Sequence, residues 1–273
     1  MTTSSTGGRA AAALTWGVLA AAVPFALTAL FPEQALEERP VLHGLFVWFG
    51  HAVKLALLGL GAAVAWGNAK AFAAKTPARS AWSQLAVGQA FNFCGQALLA
   101  AAVLWPDQLG GFPSPADLFF LAGYPFFIVS VILFAVGYHR SGYPVGSRRE
   151  TWLLCLGVAA VCVLLSVPLL LPILRAEAGL AEKALNLAYP LLDFILLIPT
   201  ALLLRTAWRL RGGLLWGVWG RLAAGFVFIY AGDVVFGYMT TLDLERLSLL
   251  DSGLFLVAYG LVAAGSLHQR ALR

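Results

Sequence analysis

The sequence predicts an all-α fold, a polytopic integral membrane helix bundle of eight transmembrane helices with both termini in the cytoplasm. Three observations lead there: composition, the length of the apolar runs, and the alternation of Lys and Arg between them. Of 273 residues, 60% are apolar and 11% charged, with a mean hydropathy of +0.83; a soluble domain carries about 25% charge. Each unsatisfied peptide group in hydrocarbon costs several kcal/mol, so a chain of this composition spans as helices or as a closed barrel. The runs lack the strict polar alternation of barrel strands. About 20 apolar residues at 1.5 Å rise cross the ~30 Å hydrocarbon core, which decides for helices.

The first run, 10–31, follows TTSSTGGRA. It is too long for a signal peptide and has no convincing small-residue cleavage site, so it reads as retained. FPEQALEERP stops it, and the second run, 41–66, follows. The third spans 83–104, and WPDQLGGFPSP separates it from the fourth at 116–137. YHRSGYPVGSRRE leads to the fifth, 151–174; the sixth is 184–204, the seventh 214–238 and the eighth 251–267. Pro, Gly and charge in the connectors stop helices and cannot sit in lipid. None of the connectors is long enough for a separate domain, so residues 1–273 read as one membrane domain.

Orientation follows from the cations. With the N-terminus inside, the inner segments hold Arg9; Lys70, Lys75 and Arg79; Arg140, Arg148 and Arg149; Arg205, Arg209 and Arg211; and Arg270 and Arg273. The outer loops hold Arg39, Arg175, Lys183 and Arg246. Twelve against four is a positive-inside signal, and its alternation supports the count of eight. The acids Glu33, Glu37, Glu38, Asp107, Glu177, Glu182, Asp243 and Glu245 fall outside and Glu150 inside, a mirror that contributes little to topology. A net charge of +5 and a pI near 9.3 do not indicate nucleic acid. The excess is spread over separate cytoplasmic helix ends, where anionic lipid headgroups attract it.

Polar groups inside the helices are expensive and normally face the bundle or an aqueous cavity. Asp193 lies nine residues into the sixth run, ~14 Å deep at 1.5 Å per residue. Lys54 is near the middle of the second run and is expected, from depth, to be the counter-charge of Asp193. Asp233 lies near the outer end of the seventh run, and Asp117 and Asp251 open the fourth and eighth. Helical spacing gathers these groups into stripes. They are Asn186, Tyr189, Asp193 and Thr200; Tyr230, Asp233 and Gly237; Gln89, Asn92 and Gln96; Asp117 and Tyr124; and Ser252, Tyr259 and Ser266. Asp117 and Asp251 read as helix N-terminal caps. Asp193 and Asp233, interior to their helices, read as members of a functional or buried network. Arg221, seven residues into its run, is expected to snorkel to the headgroups.

Most chemistries are excluded. His43 and His51 are eight apart on the second run, while His139 and His268 lie at cytoplasmic ends, so no shared haem or metal site is expected. Cys94, Cys155 and Cys162 form no C-x-x-C and read as small buried hydrophobes. The seventh and eighth runs hold no Lys for a retinal Schiff base, and H-E-x-x-H, G-x-S-x-G and a Walker loop are absent. L-E-E-R at 36–39 reads as a solvated outer turn. No catalytic motif is visible, so neither an enzyme nor a cofactor is expected.

F-P-S-P-A-D-L-F-F-L-A-G-Y-P at 112–125, A-Y-P-L-L-D at 188–193, Tyr230 with Asp233, and Asp251 followed by A-Y-G at 258–260 occur in this order. The set resembles the multi-helix membrane sensor region of bacterial diguanylate cyclases (GGDEF proteins) and of some sensor histidine kinases. That family shows P-S-x-A-D-x-x-Y-L-x-G-Y-P, Y-P-L-L-D, an A-D in the penultimate helix, and D-x-x-W-x-x-G-Y. The likeness covers about 83–267, six of the eight runs. Where the family carries an acid before P-S-x-A-D, this chain has Gly95 and Gln96, and Cys155 stands where another acid is frequent. No GGDEF or kinase domain follows the last run before Arg273. The resemblance implies a bacterial inner-membrane sensor module that acts through a separate membrane or cytoplasmic signalling protein.

The expected function is therefore a stand-alone sensory or partner-binding module. Its outer-half polar cavity for a small ligand would be lined by Asp193, Asp233, Tyr189, Tyr230, Tyr124, Asn92, Gln96 and Lys54. Pro125, Pro168, Pro172, Pro190 and Pro199 are available as kinks for a change in helix packing. The alternative is a small-solute or proton-coupled transporter using the same aspartates, against which the lack of a visible inverted repeat counts.

Overall fold

The computed structural model describes residues 6–30, 39–142, 147–175, 179–209, 213, 215–242, 244 and 247–272, the side chains of 165, 166, 169, 170, 172 and 173 excepted. Glu33, Glu37 and Glu38 with most of L-E-E-R, Glu177, Asp243, Glu245, Arg246, Arg211, Arg273 and the side chain of Pro172 lie outside that set. The described residues are helical throughout, without strands. The long helices are α1 Thr6–Thr28, α2 Pro40–Lys70, α3 Pro77–Leu104, α4 Pro115–Arg140, α5 Arg148–Arg175, α6 Leu180–Arg209, α7 Trp216–Leu242 and α8 Ser248–Arg270, with one helical turn at Pro106–Leu109. Most run about a turn beyond their apolar stretches. Lipid headgroups and water still tolerate helical backbone there, whereas hydropathy marks only the hydrocarbon.

Local sequence sets several ends. Thr76 accepts from the backbone N–H of Arg79 at the start of α3. Ser114 and Asp117 form a capping box at α4, and Pro occupies the first turn of α2, α3 and α4, where its missing N–H costs nothing. Seven helices, all but α5, are long and apolar enough to cross a bilayer among the described residues. Their polarity is inverted relative to a soluble bundle: Trp16, Leu30, Val41, Trp66, Leu118, Ile132, Leu191 and Trp208 face outward, while Lys54, Asn68, Gln89, Asp193 and Ser266 are buried. That is the arrangement of a multi-pass membrane protein in a lipid bilayer.

Six helices close a ring in the order α2, α3, α4, α6, α7, α8 and back to α2, with α1 packed on the outside of α8 and α5 outside α6 and α7. Small residues bring neighbours together. A Cβ on Gly88 would lie 2.6 Å from Phe127 and one on Gly95 2.9 Å from Phe120, an antiparallel seam between α3 and α4. A Cβ on Gly253 would meet Phe25, one on Gly260 would meet Val18, and one on Gly7 would meet Ala271, an antiparallel seam between α8 and α1. α4 and α6 instead run parallel: Asp117 bonds Tyr189, and one turn or two further along both helices Tyr124 bonds Asp193.

Candidate functional site

At the end of the ring where α2, α4, α6 and α8 begin, the six helices surround a cavity of about 180 Å³. Every ring helix contributes: Lys54 from α2, Asn92 and Gln96 from α3, Asp117 and Tyr124 from α4, Tyr189 from α6, Asp233 and Thr240 from α7, and Asp251 and Tyr259 from α8. The loop between α3 and α4 covers part of it through Gly111, Phe112 and Ser114. Gly111 has φ +92°, a left-handed conformation that glycine adopts without strain and that turns Phe112 toward the cavity. Phe112 then packs edge-on against Phe236 of α7 at 5.4 Å between centroids.

The acidic wall is built on two tyrosines. Tyr124 Oη lies 2.8 Å from Asp193 Oδ1 and 2.5 Å from Asp233 Oδ2. A phenol carries one proton, so it donates to one carboxylate and accepts from the other only when that other is a carboxylic acid. Three oxygens this close are held together when a second proton is shared among them. Tyr189 donates to Asp117 Oδ1 at 2.7 Å, and Asp117 Oδ2 accepts from the Ser114 backbone N–H and hydroxyl at 2.6 and 2.9 Å. Asp117 is thus both the predicted cap and the anchor of a cavity tyrosine.

The basic wall is sparse. Lys54 is 6% exposed and lines the cavity. Among the described residues it makes no hydrogen bond and no ion pair within 4.0 Å; the ion pairs found there join Glu150 to Arg205 and Arg209. Asp251 lines the same cavity as Lys54, whereas Asp193 does not. One turn earlier on α2, His51 Nδ1 accepts from Gln96 Nε2 at 2.6 Å.

The structure thus brings Lys54, Asn92, Gln96, Tyr124, Tyr189 and Asp233 together around one space. Asp193, 1% exposed, sits behind Tyr124 rather than on the cavity surface, with Oδ2 lacking a hydrogen-bond partner. Tyr230 lies apart from the cavity, packed with Cys162 and Leu197 between α5, α6 and α7. Asp193 and Lys54 share a depth but not a partner, because depth along an axis says nothing about which way a helix is turned. Asp251 and Tyr259 belong to the site as well; the stripe on the eighth run pointed to Tyr259, while Asp251 was read as a cap. Arg221 also departs from expectation. It donates to Thr15 Oγ1, Gly217 O and His268 Nδ1 at 2.8, 2.6 and 2.9 Å, tying α7 to α1 and α8 instead of reaching for headgroups.

Away from the cavity, toward the other end of the ring, aromatic packing closes the interior. Trp82, Phe134 and Trp219 meet edge to face at 5.1 and 4.6 Å, and Trp219 Nε1 donates to Tyr138 Oη. Beside them remains a void of about 10 Å³, at most the room of one water. No protein-family model, curated protein or solved structure matches the chain.

Proposed function

We propose that the protein is a sensory module of a bacterial inner membrane that binds a small ligand in this cavity and passes the resulting change in helix packing to a separate signalling protein. The single observation that carries the reading is a cavity to which all six ring helices contribute, backed by an aromatic plug. Binding there touches every helix of the ring at once, while the plug leaves no path onward. The resemblance of the P-S-P-A-D, Y-P-L-L-D and terminal Asp251 and A-Y-G segments to sensor regions supports the same reading.

The topology proposed with it is eight crossings with both termini inside. α4 and α6 run parallel, so the chain must return across the bilayer between them, and α5, at 28 residues, is the helix available to do so. The close approach of Gly7 to Ala271 supports an even number of crossings. The cation count names that side as the cytoplasm.

Single cysteines in a cysteine-free background test the reading. An impermeant maleimide added to intact cells should modify Thr240→Cys in the cavity and leave Ala223→Cys, beside the plug, unmodified from either face. Modification at 223 would mean a through path and would favour the transporter. Modification of 240 from the cytoplasmic face alone would overturn the orientation.

A further inference from the structure

Resting on that reading of the cavity, we infer that its ligand is a small organic monocation, an ammonium-bearing molecule whose charge sits at Asp233 among aromatic rings. The inference comes from charge. Four carboxyls and one amine line or back this cavity. Asp117 is met by three hydrogen bonds and by the N-terminus of α4, whose partial positive charge favours an anion there. Asp251, in the first turn of α8, lines the same cavity as Lys54, so one carboxylate and one ammonium offset each other there. Asp193 and Asp233 remain, bridged by Tyr124 with one shared proton. With that proton the pair keeps one negative charge, and among the described residues no cation besides Lys54 lines the cavity to meet it, in a site where an uncompensated ion is costly.

The surroundings fit an organic cation. Asp233 reaches the cavity surface beside Tyr189, Tyr259 and Phe236, and ring faces attract ammonium groups, more strongly once they are desolvated. The space holds a molecule of several heavy atoms. No group of three His, Cys, Asp or Glu among the described residues is arranged to hold a metal ion. A zwitterion fits less well, because its carboxylate would meet Asp251 beside Lys54.

Matched probes on the purified full chain test this by thermal stability. Choline and ethanolamine are monocations, glycine betaine and glycine the corresponding zwitterions, and 3,3-dimethylbutan-1-ol and ethylene glycol the neutral counterparts. At least one monocation should raise Tm at a concentration where its zwitterion and neutral counterpart do not. Asp233→Asn should abolish the shift. Lys54→Met should preserve it and tighten the monocation by about tenfold, since a like charge has been removed nearby. If Asp233→Asn does not fold, Lys54→Met decides alone, because a structural lysine would not improve cation binding. A shift with the zwitterions alone, or weaker monocation binding in Lys54→Met, would overturn the inference and leave the binding cavity standing. No shift with any probe while Thr240→Cys is labelled from outside would also overturn it, assigning the residual charge to a second proton on the carboxyl pair. No shift together with an inaccessible Thr240 would remove the cavity reading itself.

Discussion

Tyr124 is the side chain on which the buried carboxyl pair depends. Tyr124→Phe keeps the ring and its packing but removes the oxygen between Asp193 and Asp233, leaving buried acceptors without their bridge. A loss of about 1–3 kcal/mol is expected in thermal or denaturant unfolding in detergent. Asp193→Asn in the Tyr124→Phe background should recover part of it, because an amide can donate to Asp233 in place of the lost phenol. The lysine gives a second prediction. A double-mutant cycle of Lys54→Met with Asp251→Asn should show a coupling of about 0.5–3 kcal/mol, while Lys54→Met with Asp193→Asn should be additive within about 0.5 kcal/mol. Coupling in the second cycle and additivity in the first would reverse the assignment. At this scale the sequence carried the polar residues and their faces, since Tyr189 and Asp193 at helical spacing both turn inward. It did not carry partners: whether Lys54 meets Asp193 or Asp251 depends on the rotation of α2 against α8, and no local pattern encodes that. Tyr230 was grouped with Asp233 by spacing alone, yet the helix flank it occupies is covered by α5 and α6.

Helices in this molecule are held by close approach more than by polar ties. Gly260 on α8 leaves room for Val18 of α1, and a Cβ there would lie 2.4 Å from Val18 Cγ1. Gly260→Val should cost about 1–3 kcal/mol by overpacking and loosen α1 specifically. A cysteine pair at positions 7 and 271 should then crosslink more slowly than in the parent seam. The same principle accounts for Gly95, where the resembled sensor regions carry an acid: here the position seats Phe120 of α4, and the neighbouring Gln96 turns to the cavity and to His51. At the other face of the bundle α5 is fastened to α6 by Glu150, which accepts from Arg205 and, at 3.1 Å, from Arg209. Its carboxyl is held below the ordinary 4.5, first by the Ser147 backbone N–H and then by the two arginines. A carboxyl depressed in the folded state favours folding above its unfolded value, and that contribution fades as pH falls through the folded value. The bridge should therefore persist at pH 4.5 and open only below it, as followed by carboxyl carbon NMR with Glu150→Gln as the reference. Helix existence was legible from run length; the extra turns beyond hydrocarbon were not, because hydropathy registers the solvent around a helix and not the helix itself.

For the molecule as a whole, the ring order could not be read from periodicity. Parallel neighbours such as α4 and α6 are not adjacent in sequence, and the glycine seams acquire meaning only once their partners are known. The direction of each helix follows from alternation, which gives a prediction at this scale. Glu182→Cys should be labelled by an impermeant reagent in intact cells and Arg148→Cys only after the membrane is opened; labelling of 148 from outside would sink the eight-crossing arrangement. The contact of Gly7 with Ala271 has one more consequence. Between these two residues the backbone closes on itself in space, and helical bundles with such a contact commonly accept permuted connections. A chain rewired through that contact, with its new ends opened between α4 and α5, would begin with α5 and insert the cavity carboxyls Asp233 and Asp251, and Asp193 behind Tyr124, ahead of Lys54. The order of synthesis would be inverted while the bundle's neighbours stayed the same, so such a rearranged gene would ask whether the lone lysine must enter the membrane before the acids do.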